Sequence, residues 1–229
     1  MARMSQLRGD YKSVWAALSG TKEEAYMVVS GYNDEDKFHA DAEDTLDILR
    51  ETVGIRAGDV FLEIGCGVGR VGRVLAPFVQ EWIGCDVSAN MLRLAKRRLL
   101  GLHNIRLQEI SGYDLQPIAD NSVDAVYTTV VFMHLEEWDR YGYVLEAMRV
   151  LKPGGRFYCD NIDLASKKGW AVFEDCRTRF PPQSRPAQIS KCSTQPELEM
   201  FLRRAGFADV RVAGRLDFWA YAWGVKPAA

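Results

Sequence analysis

The chain has 229 residues, 48% of them hydrophobic and 26% charged, with a formal net charge of −2. That fits one α/β domain with an N-terminal extension better than two full domains. The near-neutral balance gives no global footprint for nucleic acid or an anionic membrane, and no stretch approaches the roughly 20 apolar residues of a membrane-spanning helix.

Residues 1–20 carry charges throughout and lack the apolar run of a signal peptide. The five cysteines include no C-x-x-C pair. This argues against a zinc site or a disulfide framework and for reduced thiols in a cytoplasmic protein. Between Ser5 and Phe38, apolar residues such as Tyr11, Trp15, Val28 and Val29 are interleaved with charges, which predicts one or two short helices. Residues 1–40 are expected to form a helical extension or lid, and 41–229 the main domain. Asp41 to Val53 has helical apolar spacing with acids in its first turn. Asp59 to Ile64 reads as a buried strand running into a glycine cluster, and Val71 to Phe78 as a helix. Trp82 to Cys85 is a second short strand, followed by Ser88 as an N-cap and a helix over Ala89–Leu100. Asn104–Gln108 and Val123–Val131 are further strand candidates. Glu136–Leu151 is a helix stopped by Lys152-Pro153-Gly154-Gly155, and Arg156–Asn161 a fifth strand. Leu164 to Gln195 interrupts the pattern as an insertion. A helix over Pro196–Ala205 and two closing strands near Val210–Val212 and Leu216–Tyr221 complete the chain. Strands alternating with helices imply a doubly wound, mostly parallel sheet with helices on both faces. Ligands in such sheets bind beyond the carboxyl ends of the strands.

The strongest chemical signal is Glu63-Ile64-Gly65-Cys66-Gly67-Val68-Gly69-Arg70, set between a strand and a helix. A tight turn there needs residues that tolerate positive φ and bare backbone that a ligand can approach. Asp86 ends the next strand, 23 residues after Glu63. An acid there can accept hydrogen bonds from two adjacent ribose hydroxyls. Together these features predict a nucleotide site. Gly67-x-Gly69-x-x-Gly72, with Asp86 19 residues after Gly67, also satisfies the dinucleotide fingerprint, so the loop alone leaves the nucleotide open.

Five segments, in order, resemble the class I S-adenosylmethionine-dependent methyltransferase family: VFLEIGCGVGR, GCDVSANML, DNSVDAVYTTVVFMHL, RVLKPGGRF and ELEMFLRRAGFADVRV. The resemblance covers about Asp41 to Val212 and implies a seven-stranded sheet with S-adenosylmethionine as cofactor. It implies that Gly65, Gly67 and Gly69, with Cys66, shape the loop under the methionine part. Glu63 would hold that loop or a water at the amino group, and Arg70 is a candidate for the carboxylate. Asp86, with Val87 beside it, would bind the ribose diol, and Met91 would pack on the adenine. The family often places an Asp at the adenine amino group. The matching positions here are Ser111 and Gly112, so either Asp114 or backbone near Gly112 and Tyr113 serves. Thr129 follows the fourth strand at the cofactor's edge. Phe38 is a candidate aromatic lid.

Methyl transfer from a sulfonium is an in-line displacement that needs chiefly positioning and exclusion of water. A base is required only when the acceptor carries a proton of high pKa. Of the three histidines, His134 lies at the mouth of the expected cleft. It is a candidate general base or substrate contact, or else a structural histidine at a strand end. The insertion, with Trp170, Phe173 and Phe180, is expected to help build the acceptor pocket or else to form its own small core. The Asn/Asp-Pro-Pro-Tyr/Phe signature of amino-methylating relatives is absent, the matching place reading Thr129-Val130-Val131-Phe132. The basic run Lys96-Arg97-Arg98 reads as a solvated face. The expected acceptor is a small molecule methylated at O or N, with no nucleic acid, membrane or metal involved. Two alternatives are a non-catalytic scaffold of the same fold and a nicotinamide-dependent oxidoreductase. The latter lacks a Tyr-x-x-x-Lys pair at any of the nine tyrosines.

Overall fold

The computed structural model of the protein describes residues 11–228. The first ten residues of the expected extension lie outside them. Seven strands form one sheet in the order β3-β2-β1-β4-β5-β7-β6. They are β1 (Val60–Ile64), β2 (Glu81–Asp86), β3 (Ile105–Glu109), β4 (Val123–Thr128), β5 (Leu151–Ile162), β6 (Ala208–Arg215) and β7 (Trp219–Val225). The first five run parallel, and β7 is antiparallel to both of its neighbours. The doubly wound, mostly parallel seven-stranded architecture expected from the sequence is therefore the one observed.

The central strands are apolar because both faces are covered. Leu62, Ile64, Ile83, Val126 and Phe157 pack into the cluster beneath α6 (Glu137–Val150) and α8 (Gln195–Ala205). Phe61, Trp82, Ala125, Tyr127 and Tyr158 pack on the other side. There they meet α3 (Glu35–Thr52) and α4 (Arg70–Leu75), with Ala95 and Leu99 at the end of α5 (Ala89–Arg98). Asp34 caps α3 by accepting from the amides of Asp36 and Lys37, and Phe38, Ala42, Leu46 and Leu49 form its buried stripe. That helix starts at Glu35 rather than at Asp41, so it runs unbroken across the boundary drawn at residue 40. Before it lie α1 (Tyr11–Ala17) and α2 (Lys22–Ser30), the latter opened by a Thr21/Glu24 capping box.

Two boundaries differ from expectation for local reasons. The fourth strand stops at Thr128, because Val130 turns back at φ 61. The Lys152-Pro153-Gly154-Gly155 segment lies inside β5 instead of preceding it. Its edge is tied by Lys226, whose carbonyl accepts from Gly154 N and whose Nζ donates to Leu151 O. The chain order reverses between β1 and β4, so the carboxyl ends of those strands form the crevice where ligands bind in such sheets.

Candidate functional site

A cleft with about 860 Å³ of open space lies at that crevice. The turn after β1 forms its floor. Gly65, Gly67 and Gly69 have φ of 73, 51 and 75, a conformation in which a Cβ is strained. At Gly65 space is limiting too, since a Cβ would stand 2.4 Å from Val131 Cγ2. Four N–H groups of this turn are already used. Those of Gly65 and Cys66 both donate to Cys85 O, at 2.8 and 2.9 Å, and that of Gly69 donates to Cys66 O. The Gly67 N–H donates to Asp86 Oδ2 at 2.8 Å. On the other side of Gly67, Val29 of α2 sits 3.0 Å from the position of a Cβ. A phosphate-cradling loop needs free N–H groups and open space above them. With four of its N–H groups engaged and Val29 close to Gly67, the turn is poorly suited to the dinucleotide that its Gly67–Gly72 spacing also matched.

Two buried carboxylates face this cleft. Asp86 accepts from Gly67 N and Ser88 N through different oxygens, which leaves lone pairs for a diol. Burial raises its pKa to about 6, against the pull of those backbone N–H groups. Glu63 accepts from Tyr127 Oη at 2.6 Å, and Tyr127 in turn accepts from Trp82 Nε1. Desolvation holds Glu63 up to about 8, with the Tyr127 hydrogen bond working the other way. A cation placed beside it would favour its ionised form. Val87, Met91, Ile110 and Gly112 supply apolar lining, and Arg70 lines the same cleft. The cleft thus joins two buried acids, an apolar lining and a guanidinium.

Most of the residues expected at the site are brought together here: Glu63, Gly65, Cys66, Gly67, Arg70, Asp86, Val87, Met91, Gly112, Thr129 and His134 all line the cleft. Three do not. Phe38 is fully buried, stacked on Tyr26 at 4.8 Å and covered by Arg98, so it is a core residue and not a lid. Gly69 begins α4 and packs against Leu99. Tyr113 is exposed and leans on Tyr11. Asp114 accepts from Gln116 N within its own turn and does not line the cleft. That leaves the backbone near Gly112 at the apolar lining.

The residues that close the cleft from above come from α1 and α2: Tyr11, Trp15, Val28 and Val29. Tyr11 Oη donates to Asp139 and accepts from Glu136 N, and Trp15 meets His134 edge-on at 4.9 Å. Ser19 and Ser88 share a hydrogen bond of 2.8 Å beside Asp86. Sequence periodicity showed these aromatics without a role. Their i, i+4 spacing on a short, charged helix was the available signal.

A second cleft, with about 1260 Å³ of open space, shares Val28, Val29, Arg70, Thr129, Val130 and His134 with the first. Its other walls include Asp41 and Asp44 of α3, Tyr158 and Asp160 of β5, and Trp219 and Tyr221 of β7. No residue of the 164–195 insertion lines either cleft. Its helix α7 (Lys167–Arg179) instead presents Trp170 and Phe173, packed on each other, at the surface. The expected contribution of the insertion to the pocket is replaced by α2, α3 and the last two strands of the sheet. His134 is bonded through Nδ1 to Gln188 O, and burial pushes its pKa down to about 4. The imidazole is therefore neutral, and it is a weak proton acceptor near pH 7. In the basic run, Arg98 is not solvated: it ties α5 to Tyr26 and Glu35, each at 2.7 Å.

Residues 62–159 match the family described as a methyltransferase domain. Around that match, the chain is 34% identical over 128 residues to the uncharacterized methyltransferase YcgJ of Bacillus subtilis, covering 55% of this chain and 49% of that one. It is 36% identical over 104 residues to demethylmenaquinone methyltransferase of Tropheryma whipplei, covering 45% and 42%. The matched regions span about half the length of these curated relatives. The crystal structure of the Bacillus protein superposes with a TM-score of 0.64 at 19% identity, over 82% of this chain and all of that one. A phosphoethanolamine N-methyltransferase of Haemonchus contortus, solved with S-adenosylhomocysteine, superposes with a TM-score of 0.64 at 18% identity, over 81% and 52%. The matched segment runs from within β1 to within β5, and so contains Glu63, the glycine turn and Asp86, and it ends one residue before Asp160. Among the described residues, no helix is long and apolar enough to cross a membrane.

Proposed function

We propose that this domain binds S-adenosylmethionine in the first cleft and catalyses transfer of its methyl group to an oxygen or nitrogen of a small molecule held in the second. The observation that carries the reading is the pairing of an internally satisfied glycine turn with two buried carboxylates, Glu63 and Asp86, facing one cleft. That set suits a ligand with an ammonium and a ribose, and not one with a pyrophosphate. The relatives' names point the same way, as does the S-adenosylhomocysteine in the Haemonchus structure.

In this reading Asp86 holds the ribose diol, Val87 and Met91 flank the adenine, and backbone near Gly112 meets its edge. Glu63 faces the ammonium, and Arg70 faces the carboxylate. When bound, S-adenosylmethionine supplies a methyl group already activated on a sulfonium. The protein's own task is then to align a nucleophile and exclude water. Tyr11, Trp15, Val28 and Val29 roof the cleft, and Thr129 and Val130 form the wall shared with the acceptor side. His134 contributes shape, not proton transfer. The acceptor cleft mixes aromatic rings with acids and two arginines, Arg70 and Arg215, which favours a small polar or aromatic molecule over nucleic acid. The five free cysteines, three of them buried, support a cytoplasmic setting.

The test is release of S-adenosylhomocysteine from S-adenosylmethionine in the presence of pooled hydroxy-aromatic, quinol and amine compounds, with total RNA as a separate arm. Acceleration by a small-molecule pool is the expected result. Acceleration by RNA alone would overturn the acceptor class. No acceleration in any arm, together with tight cofactor binding, would favour the non-catalytic scaffold.

A further inference from the structure

Between the two clefts the backbone is held in an unusual shape by one side chain. Val130 follows β4 with φ 61, and a β-branched residue in that region is a strained exception. Its N–H donates to Asp160 Oδ1 at 2.8 Å. Asp160 comes from β5, 30 residues away, and is 9% exposed. Its second oxygen accepts from Tyr158 Oη at 3.4 Å, and no lysine or arginine among the described residues is bonded to it. The turn so held has two jobs. Val131 packs against the bare face of Gly65, and Thr129 and Val130 line both clefts. A buried acid without a cationic partner is costly to keep, and here it is spent on one backbone amide at the junction.

We propose that Asp160 is a positioning residue: its carboxylate clamps Val130 N–H and thereby holds the Thr129–Val131 turn as the wall against which the cofactor's methionine end is seated and across which the methyl group passes. The inference rests on the reading of the first cleft as the S-adenosylmethionine site. Without the clamp, Val130 relaxes to an extended conformation, Val131 leaves Gly65, and the wall between the clefts opens. An asparagine keeps an acceptor oxygen at the same place, so it preserves the clamp. A glycine at residue 130 adopts positive φ without strain, so it removes the need for one.

The experiment compares the unaltered protein with Asp160→Ala, Asp160→Asn, Val130→Gly and the Asp160→Ala/Val130→Gly double variant. Calorimetric titration with S-adenosylmethionine and S-adenosylhomocysteine gives the affinities, and amide hydrogen exchange is read at Val130. Asp160→Ala is expected to weaken both ligands about tenfold or more, equivalent to about 1.4 kcal/mol, and to unprotect the Val130 amide. Asp160→Asn stays within about threefold of the unaltered protein, and the double variant regains most of the loss, a coupling that independent sites lack. Equal affinity and equal exchange in Asp160→Ala would overturn the proposal. So would a loss in Asp160→Ala that neither Asn nor the glycine partner restores, since that pattern marks general destabilisation. Failure of the unaltered protein to bind S-adenosylmethionine would instead overturn the reading of the cleft.

Discussion

Substituting Gly65 by Ala separates two costs that the glycine turn avoids. The first is conformational: φ at Gly65 is 73, and a Cβ in the left-handed region costs about 1–2 kcal/mol. The second is steric. The new methyl would stand 2.4 Å from Val131 Cγ2, where ordinary van der Waals contact begins near 3.4 Å, and overpacking of this kind costs about 1–3 kcal/mol. Their sum is about 2–5 kcal/mol. Gly101 supplies the control, because its φ is 91 and a Cβ there meets nothing within 4 Å, so Gly101→Ala carries only the first cost. For a domain of this size each kcal/mol moves Tm by roughly 2–4 °C. Thermal unfolding should then fall by roughly 4–20 °C for Gly65→Ala and by roughly 2–8 °C for Gly101→Ala. Calorimetric affinity for S-adenosylmethionine should drop at least about tenfold in the first variant and stay unchanged in the second. If the two variants melt and bind alike, Val131 does not press on the glycine turn and the wall described above is wrong.

Binding should also move a proton. Burial holds Glu63 up to about 8, so near pH 7 the free protein carries it largely protonated, and an incoming ammonium favours the ionised form. Affinity for S-adenosylmethionine should therefore rise between pH 6.5 and 7.5, by up to about tenfold per pH unit. The calorimetric enthalpy should depend on the buffer's ionisation heat, and both effects should vanish in Glu63→Gln. A pH-independent affinity in the unaltered protein would remove Glu63 from the ammonium site. Arg140 offers a test of the scaffold. It is fully buried and donates to Phe132 O, Lys191 O and Ser193 Oγ, with Glu197 at 3.3 Å, binding the turn after β4 to the insertion and α8. Arg140→Ala should cost about 3–5 kcal/mol, read as a Tm lower by roughly 6–20 °C. A loss under about 2 °C would show that those carbonyls find other partners.

What was legible in the sequence follows from how far apart the interacting residues lie. Glu63, the glycines and Asp86 were readable because one strand–turn–helix–strand unit brings them together, and its spacing is set by local geometry. The parallel core was readable from apolar runs that only a doubly covered sheet requires. Phe38 was misread because an aromatic beside a charged stretch looks the same whether it faces a ligand or, as here, Tyr26 and Arg98 in the core. The insertion stood open between pocket lining and a small core of its own, since aromatic content does not say which face of α7 meets the domain; Trp170 and Phe173 pack on each other and line neither cleft. Asp160 left no signal, because its role depends on reaching Val130 across the β4–β5 register. Asp114 and Gly112 stood open in the sequence, and the turn decides between them by directing Asp114 to Gln116 N.

The central claim is the identity of the ligand in the first cleft. It is tested most directly by titrating the purified protein with S-adenosylmethionine, and in parallel with NADH and NADPH, and repeating each titration with Asp86→Ala. Binding of S-adenosylmethionine alone, in the micromolar range and lost in the variant, is the expected result. Binding of a nicotinamide cofactor, or S-adenosylmethionine affinity unchanged by Asp86→Ala, would contradict it.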